Sequence, residues 1–139
     1  MSFLIDTNVV SELRKGSRRN PNVSSWYSSV EGQDLHLSVL VLGEIRKGVE
    51  SARKTDPTRA NALEQWLLGL LSVFAGRILP ITEAIAEEWG RLNAIRTVAT
   101  IDGLLAATAK VHGLTLVTRN TNDVKGLGVS LLDPFQSVS

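Results

Sequence analysis

The chain has 139 residues, 43% of them hydrophobic, which is the composition of one folded domain rather than a disordered chain. Fifteen Lys and Arg against 14 Asp and Glu leave a net charge of +1, so any affinity for a polyanion must come from a local patch and not from the whole-molecule field. The absence of cysteine excludes disulfides, thiolate zinc sites and cysteine nucleophiles, and suits a reducing cytoplasm.

In chain order, Ser2–Ile5 is predicted as a short buried strand, with Asp6 or Thr7 placed to cap a helix that ends near Gly16. The first residues carry no basic leader, and Asp6 interrupts their apolar run, so a secretory signal is not expected. Ser17–Asn22 is a polar, basic loop, and Pro21 is placed to open a helix over Pro21–Val30 that buries Val23, Trp26 and Val30. Leu35–Ser38 is a second strand, followed by a helix over Val39–Lys54 with Leu40, Ile45 and Val49 inward. The breaker around Pro57 precedes the strongest helical pattern, Arg59–Ala75. Its stripe of Leu63, Trp66, Leu67, Leu70, Leu71 and Phe74 is broader than one small domain needs to bury, which suggests a protein contact. A third strand is expected at Arg77–Ile81, an amphipathic helix at Glu83–Arg96, and a helix rich in small residues at Ile101–His112 with Gly113 beyond its end. Leu114–Thr118 and Val129–Leu132 complete five strands. Strands alternating with helices predict βαβ units, a largely parallel sheet and a single domain over residues 1–139. The longest apolar segment, Trp66–Ala75, is too short to cross a bilayer, so no membrane association is expected.

Four acids stand where strands end or helices begin: Asp6, Glu44, Asp102 and Asp123. In a parallel α/β sheet the ligand crevice lies beyond the carboxyl ends of the strands, so acids far apart in sequence can converge there. A carboxylate set without cysteine or paired histidine suits a hard cation, Mg²⁺ or Mn²⁺, and that chemistry suits a nuclease. Each acid also has an ordinary structural role open to it. Asp6 and Asp102 can serve as helix N-caps, Glu44 as a first-turn acid, and Asp123 as a turn residue. His36 and His112 form no recognised zinc spacing, and Gly126–Gly128 lacks the lysine of a phosphate-binding loop. Arg46 and Lys47, close after Glu44, are candidate contacts for nucleic-acid phosphates.

The ordered segments Leu4–Val10, Ser38–Gly48, Ile101–Ala109 and Gly113–Asn120 together resemble the PIN-domain ribonucleases, in particular the VapC-like toxins of toxin–antitoxin modules. Phe74–Pro80 and Asp133–Phe135 resemble the FitB-like branch. The resemblance implies a three-layer α/β/α sandwich around a parallel sheet of about five strands. It further implies a homodimeric, cytoplasmic, Mg²⁺- or Mn²⁺-dependent endoribonuclease acting on RNA. A small antitoxin would cover the active site, and operator DNA would be bound only through that antitoxin. By motif position, Asp6 and Asp102 correspond to the central metal ligands and Glu44 to the third acid. The fourth place falls to Asn120 or Asp123, with Asn120 orienting a water and Asp123 supplying charge; Thr7 and Thr118 are candidate supporting donors. The alternatives are a PIN-like interaction module without catalysis and a DNA-directed nuclease.

Overall fold

The computed structural model describes residues 1–136. Five strands, β1 (Phe3–Ile5), β2 (Leu35–Ser38), β3 (Ile78–Leu79), β4 (Thr115–Val117) and β5 (Leu131–Leu132), form one sheet in the order β3-β2-β1-β4-β5. Every pairing is parallel, with Leu4 opposite both His36 and Leu116. β1 takes the centre because Phe3, Leu4 and Ile5 are apolar on both faces, and all three are buried. Successive strand side chains point to opposite sides, so three buried residues in a row require cover on both. Seven helices supply it: α1 (Thr7–Leu13), α2 (Pro21–Ser28), α3 (Val39–Arg53), α4 (Pro57–Val73), α5 (Glu83–Ile95), α6 (Thr100–His112) and α7 (Thr121–Val124). The result is the expected α/β/α sandwich. None of these helices is long and apolar enough to cross a membrane.

Strands β3 and β5 are shorter than the sequence suggests, and the four-residue α7 has no counterpart in the sequence pattern. Helix α4 begins earlier than expected, because Pro57 opens it and the Asp56 carboxylate accepts the Arg59 N–H at 3.1 Å. Helix α6 ends at Gly113, whose φ of +67° lets the chain turn left-handed straight into β4. The predicted stripe on α4 is mostly covered: Leu67 and Phe74 are buried, Leu63, Trp66 and Leu70 half-buried and Leu71 exposed, while Leu68 and Val73 beside it also face outward. Leu68, Leu71 and Val73 stay 50%, 41% and 65% exposed.

Between α1 and α2 the chain is held by one buried acid. The Glu12 carboxylate accepts from Lys15 Nζ at 2.9 Å and from the Asn20 N–H at 2.8 Å, and these bonds, led by that to Lys15, hold its pKa low. A depressed carboxyl pKa contributes stability above the unfolded value, and that contribution is lost as pH falls through the folded value. Glu12→Ala is therefore expected to lower stability by about 1–3 kcal/mol near neutral pH. The deficit relative to wild type should shrink in acid; a urea midpoint difference that does not change with pH would contradict this account.

Candidate active site

The carboxyl ends of β1 and β4 set the floor of the site. β1 delivers Asp6, which is only 7% exposed and caps α1. Its Oδ1 accepts the Thr7 N–H at 2.7 Å, while its Oδ2 accepts the Thr118 hydroxyl from the end of β4 at 2.8 Å. The sequence expectation of a capping role thus holds for Asp6, but half of the carboxylate is aimed across the sheet. Thr118, also buried, accepts the Asn120 N–H at 3.0 Å on the same hydroxyl oxygen. One hydroxyl therefore couples the first acid to the loop carrying the last polar candidates.

Glu44 is the sixth residue of α3, a turn beyond the position where the helix dipole alone favours an acid. The N-cap of that helix is Ser38, whose Oγ accepts the Leu40 N–H at 3.1 Å, leaving Glu44 free to face α1. There its Oε1 accepts the Thr7 hydroxyl at 2.6 Å. Asp102 is the third residue of α6 and does not cap it: the N-cap is Ala99, which has no side chain to do so. The capping role open to Asp102 in the sequence is thereby excluded. Asn120 occupies the N-cap position of α7 without a side-chain cap bond, and Asp123 lies in that helix's first turn.

These acids share one field. Burial first, then the charges of Asp6, Asp123 and Glu44, push the Asp102 carboxyl above its usual range. Among the described residues none of the four acids has an ion-pair partner. The cluster is thus an uncompensated negative site made of oxygen donors, which suits a hard divalent cation. As the side chains stand, no group of three or more His, Asp or Glu among the described residues is arranged to share one ion. The acids are within electrostatic reach of each other, and an ion would have to draw them inward.

Two further features emerge from the tertiary arrangement. Asn8 lies between Asp6 and Thr118, with its amide nitrogen 3.4 Å from an oxygen of each, and its Oδ1 accepts the Arg119 N–H at 3.2 Å. Its place two residues after Asp6 is the signal in the sequence, since short polar side chains after a strand end commonly bond neighbouring backbone. Arg46 forms surface ion pairs with Glu50 on α3 and Glu64 on α4. Lys47 remains exposed.

A family profile for the PIN domain matches residues 3–125. Toxin FitB of Neisseria gonorrhoeae is 35% identical over 139 residues, covering 96% of this chain and 98% of that protein. The VapC ribonuclease Y4jK of Sinorhizobium fredii is 31% identical, covering 96% and 98%. The crystal structure of FitAcB from Neisseria gonorrhoeae superimposes with a TM-score of 0.87 at 34% identity, over 97% of this chain and 99% of that one. The structure of FitAB bound to a DNA fragment gives a TM-score of 0.86 at 32% identity, over 99% and 98%.

Proposed function

This chain belongs to the PIN-domain family, and on that footing we propose that it is a metal-dependent endoribonuclease, the toxin of a toxin–antitoxin pair. The observation that carries the reading is the pair of hydrogen bonds through which Thr7 links Asp6 to Glu44, with Asp102 and Asp123 within electrostatic reach and none of the four ion-paired among the described residues. Ribonuclease is the activity named in the Sinorhizobium relative, and toxin in the Neisseria one. We take the described residues to form one catalytic domain, and the cytoplasm to be where it acts.

Asp6, Asp102, Glu44 and Asp123 would hold Mg²⁺ or Mn²⁺. The ion supplies charge neutralisation for a phosphodiester and Lewis acidity toward water. The chain's own contribution is orientation. Thr118 fixes Oδ2 of Asp6, and Thr7 uses its N–H for Oδ1 of Asp6 and its hydroxyl for Oε1 of Glu44. Asn120, exposed at the start of α7, orients the attacking water, while Asp123 adds negative charge. Burial of Asp6 keeps bulk water from screening this field.

The similarity to FitAcB, to FitAB bound to a DNA fragment and to a Klebsiella pneumoniae toxin–antitoxin complex supports an antitoxin as partner, and we take operator DNA to be bound through that antitoxin. The uncovered apolar residues of α4, Leu68, Leu71 and Val73, are the surface available for the antitoxin or for a second copy in a homodimer.

The test is cleavage of mixed tRNA and rRNA by the antitoxin-free protein with Mg²⁺, Mn²⁺ or EDTA. Metal-dependent cutting of RNA but not DNA supports the proposal. Cutting of DNA alone would make it a DNA-directed nuclease, and no cutting of either would favour an interaction module. Thr118→Val is expected to reduce cleavage about 10- to 100-fold, because it frees the Asp6 carboxylate to reorient. It also strands the Asn120 N–H, so a stability loss of about 1–3 kcal/mol should accompany it. Thr118→Ser, which keeps the hydroxyl, should recover most of the cleavage rate; if Ser and Val behave alike, the hydroxyl has no such role.

A further inference from the structure

Two cavities meet along α1 and α4. One, of about 370 Å³, begins at Thr7 and Glu44 and runs past Ser11 to Arg59 and Trp66. The other, of about 420 Å³, shares Ser11, Arg59, Leu63 and Trp66 with it and continues to Arg14, Lys15 and Arg18. Together they make a continuous trough that leaves the acid cluster at Glu44 and ends among four cations, with no carboxylate in its outer half.

Elsewhere the cations are mixed. Arg46, Arg53, Arg91 and Lys110 are each neutralised by glutamates on α3, α4 or α5. Arg19, Lys47, Lys54, Arg77, Arg96, Arg119 and Lys125 lack an ion-pair partner among the described residues, so what marks the trough is that its cations line one cavity. In the trough only Lys15 is paired, with Glu12. Arg14, Arg18 and Arg59 have no ion-pair partner among the described residues. In a chain of net charge +1 this is a local segregation of charge, acidic at one end and basic at the other. Arg14 lies over Trp66, 5.4 Å from the ring centroid, close enough for the indole to hold the guanidinium in place.

We propose that this trough carries the backbone of a single-stranded RNA on one side of the cleaved phosphate, with Arg14, Arg18 and Arg59 each facing a phosphate. The inference rests on the ribonuclease reading and adds the path of the substrate. A carboxylate cluster repels the uncut phosphates of its own substrate, so the strand needs cationic hold beyond the metal's reach. The trough begins at Glu44 and supplies it. Charge complementarity selects a polyanion, and the Arg14–Trp66 pair places a guanidinium and a half-buried indole beside the trough, the kinds of group on which unstacked RNA bases rest. Such a surface suits a single strand, whose bases are splayed, better than a duplex.

The experiment measures binding of a short fluorescein-labelled single-stranded RNA by the full chain carrying Asp102→Asn, by anisotropy, between about 50 and 200 mM salt. Adding Arg18→Gln and Arg59→Gln together is expected to flatten the slope of log Kd against log salt by about 1.4, roughly 0.7 for each phosphate no longer neutralised. Lysine at both positions should retain the slope. On the otherwise wild-type chain the glutamine pair should raise KM and leave kcat at saturation unchanged. An unchanged slope with RNA still bound and cut would overturn the trough and leave the ribonuclease reading standing. So would loss of binding to an oligoglutamate peptide with RNA binding intact, which would make the trough a protein-docking surface. If the wild-type chain cuts no RNA and the Asp102→Asn chain binds none, the ribonuclease reading itself fails, and the inference with it.

Discussion

Asp102→Asn is expected to abolish RNA cleavage while making the metal-free protein more stable. The first half follows from its place among the proposed ion-holding acids: removing a group that merely orients a ligand costs about 10- to 100-fold, and removing the ligand's charge should exceed that. The second half follows from the direction of its pKa. Burial, then Asp6, Asp123 and Glu44, raise the folded value, so the folded chain retains this proton where the unfolded chain has released it. Stability therefore falls as pH rises from the unfolded pKa through the raised folded one, and above that window the full penalty is present. The N-terminal dipole of α6 favours an acid in the first turn by about 0.3–1 kcal/mol, but the upward shift says that burial and crowding outweigh it. Allowing for solvent screening of a partly exposed group, the gain at neutral pH in EDTA is about 1 kcal/mol, a few degrees in Tm. Asp6→Asn should differ. Its two oxygens accept from Thr7 and Thr118, and an amide cannot serve both donors, so cleavage and stability should fall together.

A ligand readout separates this from a general folding defect. Saturating Mg²⁺ or Mn²⁺ should raise the Tm of wild type, since a ligand at about 100 times its Kd stabilises by about 2.7 kcal/mol. It should do so much less for Asp102→Asn. Retained cleavage in that variant, or an equal rise in Tm, would remove Asp102 from the metal site.

Gly103→Ala carries the second large effect. A Cβ on Gly103 would stand 2.9 Å from Val98 Cγ2 and 3.1 Å from both Cδ1 and Nε1 of Trp89. Nothing at those distances can stay where it is. The indole is half-buried between α5 and α6, with its N–H unpartnered, and is too large to move locally. Val98 is the neighbour that must yield, or else the first turn of α6 must lift, carrying Asp102 with it. The expected cost is about 1–3 kcal/mol, the usual range for overpacking. Cleavage should fall more than stability accounts for, because a displacement on the order of 1 Å at a reacting group costs about 100-fold. Val98→Ala in the same chain should restore much of both. If Val98→Ala adds to the damage instead, the contact is not the source of strain.

Much of the site is legible in one dimension because its residues sit at element boundaries. Asp6 follows an apolar run and Asp102 opens a helical pattern, so hydrophobic periodicity places both even though it says nothing of their distance, whereas Asp123 reads only as a residue of a polar loop. The element order is equally readable. Strands β3 and β5 look longer in sequence than they are, because an edge strand ends where its pairing ends and the flanking apolar residues pack without joining the ladder. Helix α7 leaves no such trace because four residues are too few to show a period.

The sequence alone determined which chemistry is available: a cysteine-free α/β chain with acids at strand and helix ends, whose ordered motifs mark the PIN family. Tertiary structure alone decided which of those groups act together. It excluded Asp102 from capping α6 and moved Glu44 out of the first turn. It tied Arg46 to glutamates on two helices, and left Arg14, Arg18 and Arg59 unpaired in one trough. The reason is physical. Periodicity and capping act over one or two turns of chain and leave a trace in local sequence. Coulombic fields and hydrogen bonds act through space between residues as distant as Asp6 and Thr118, and their outcome exists only once the sheet has brought them together.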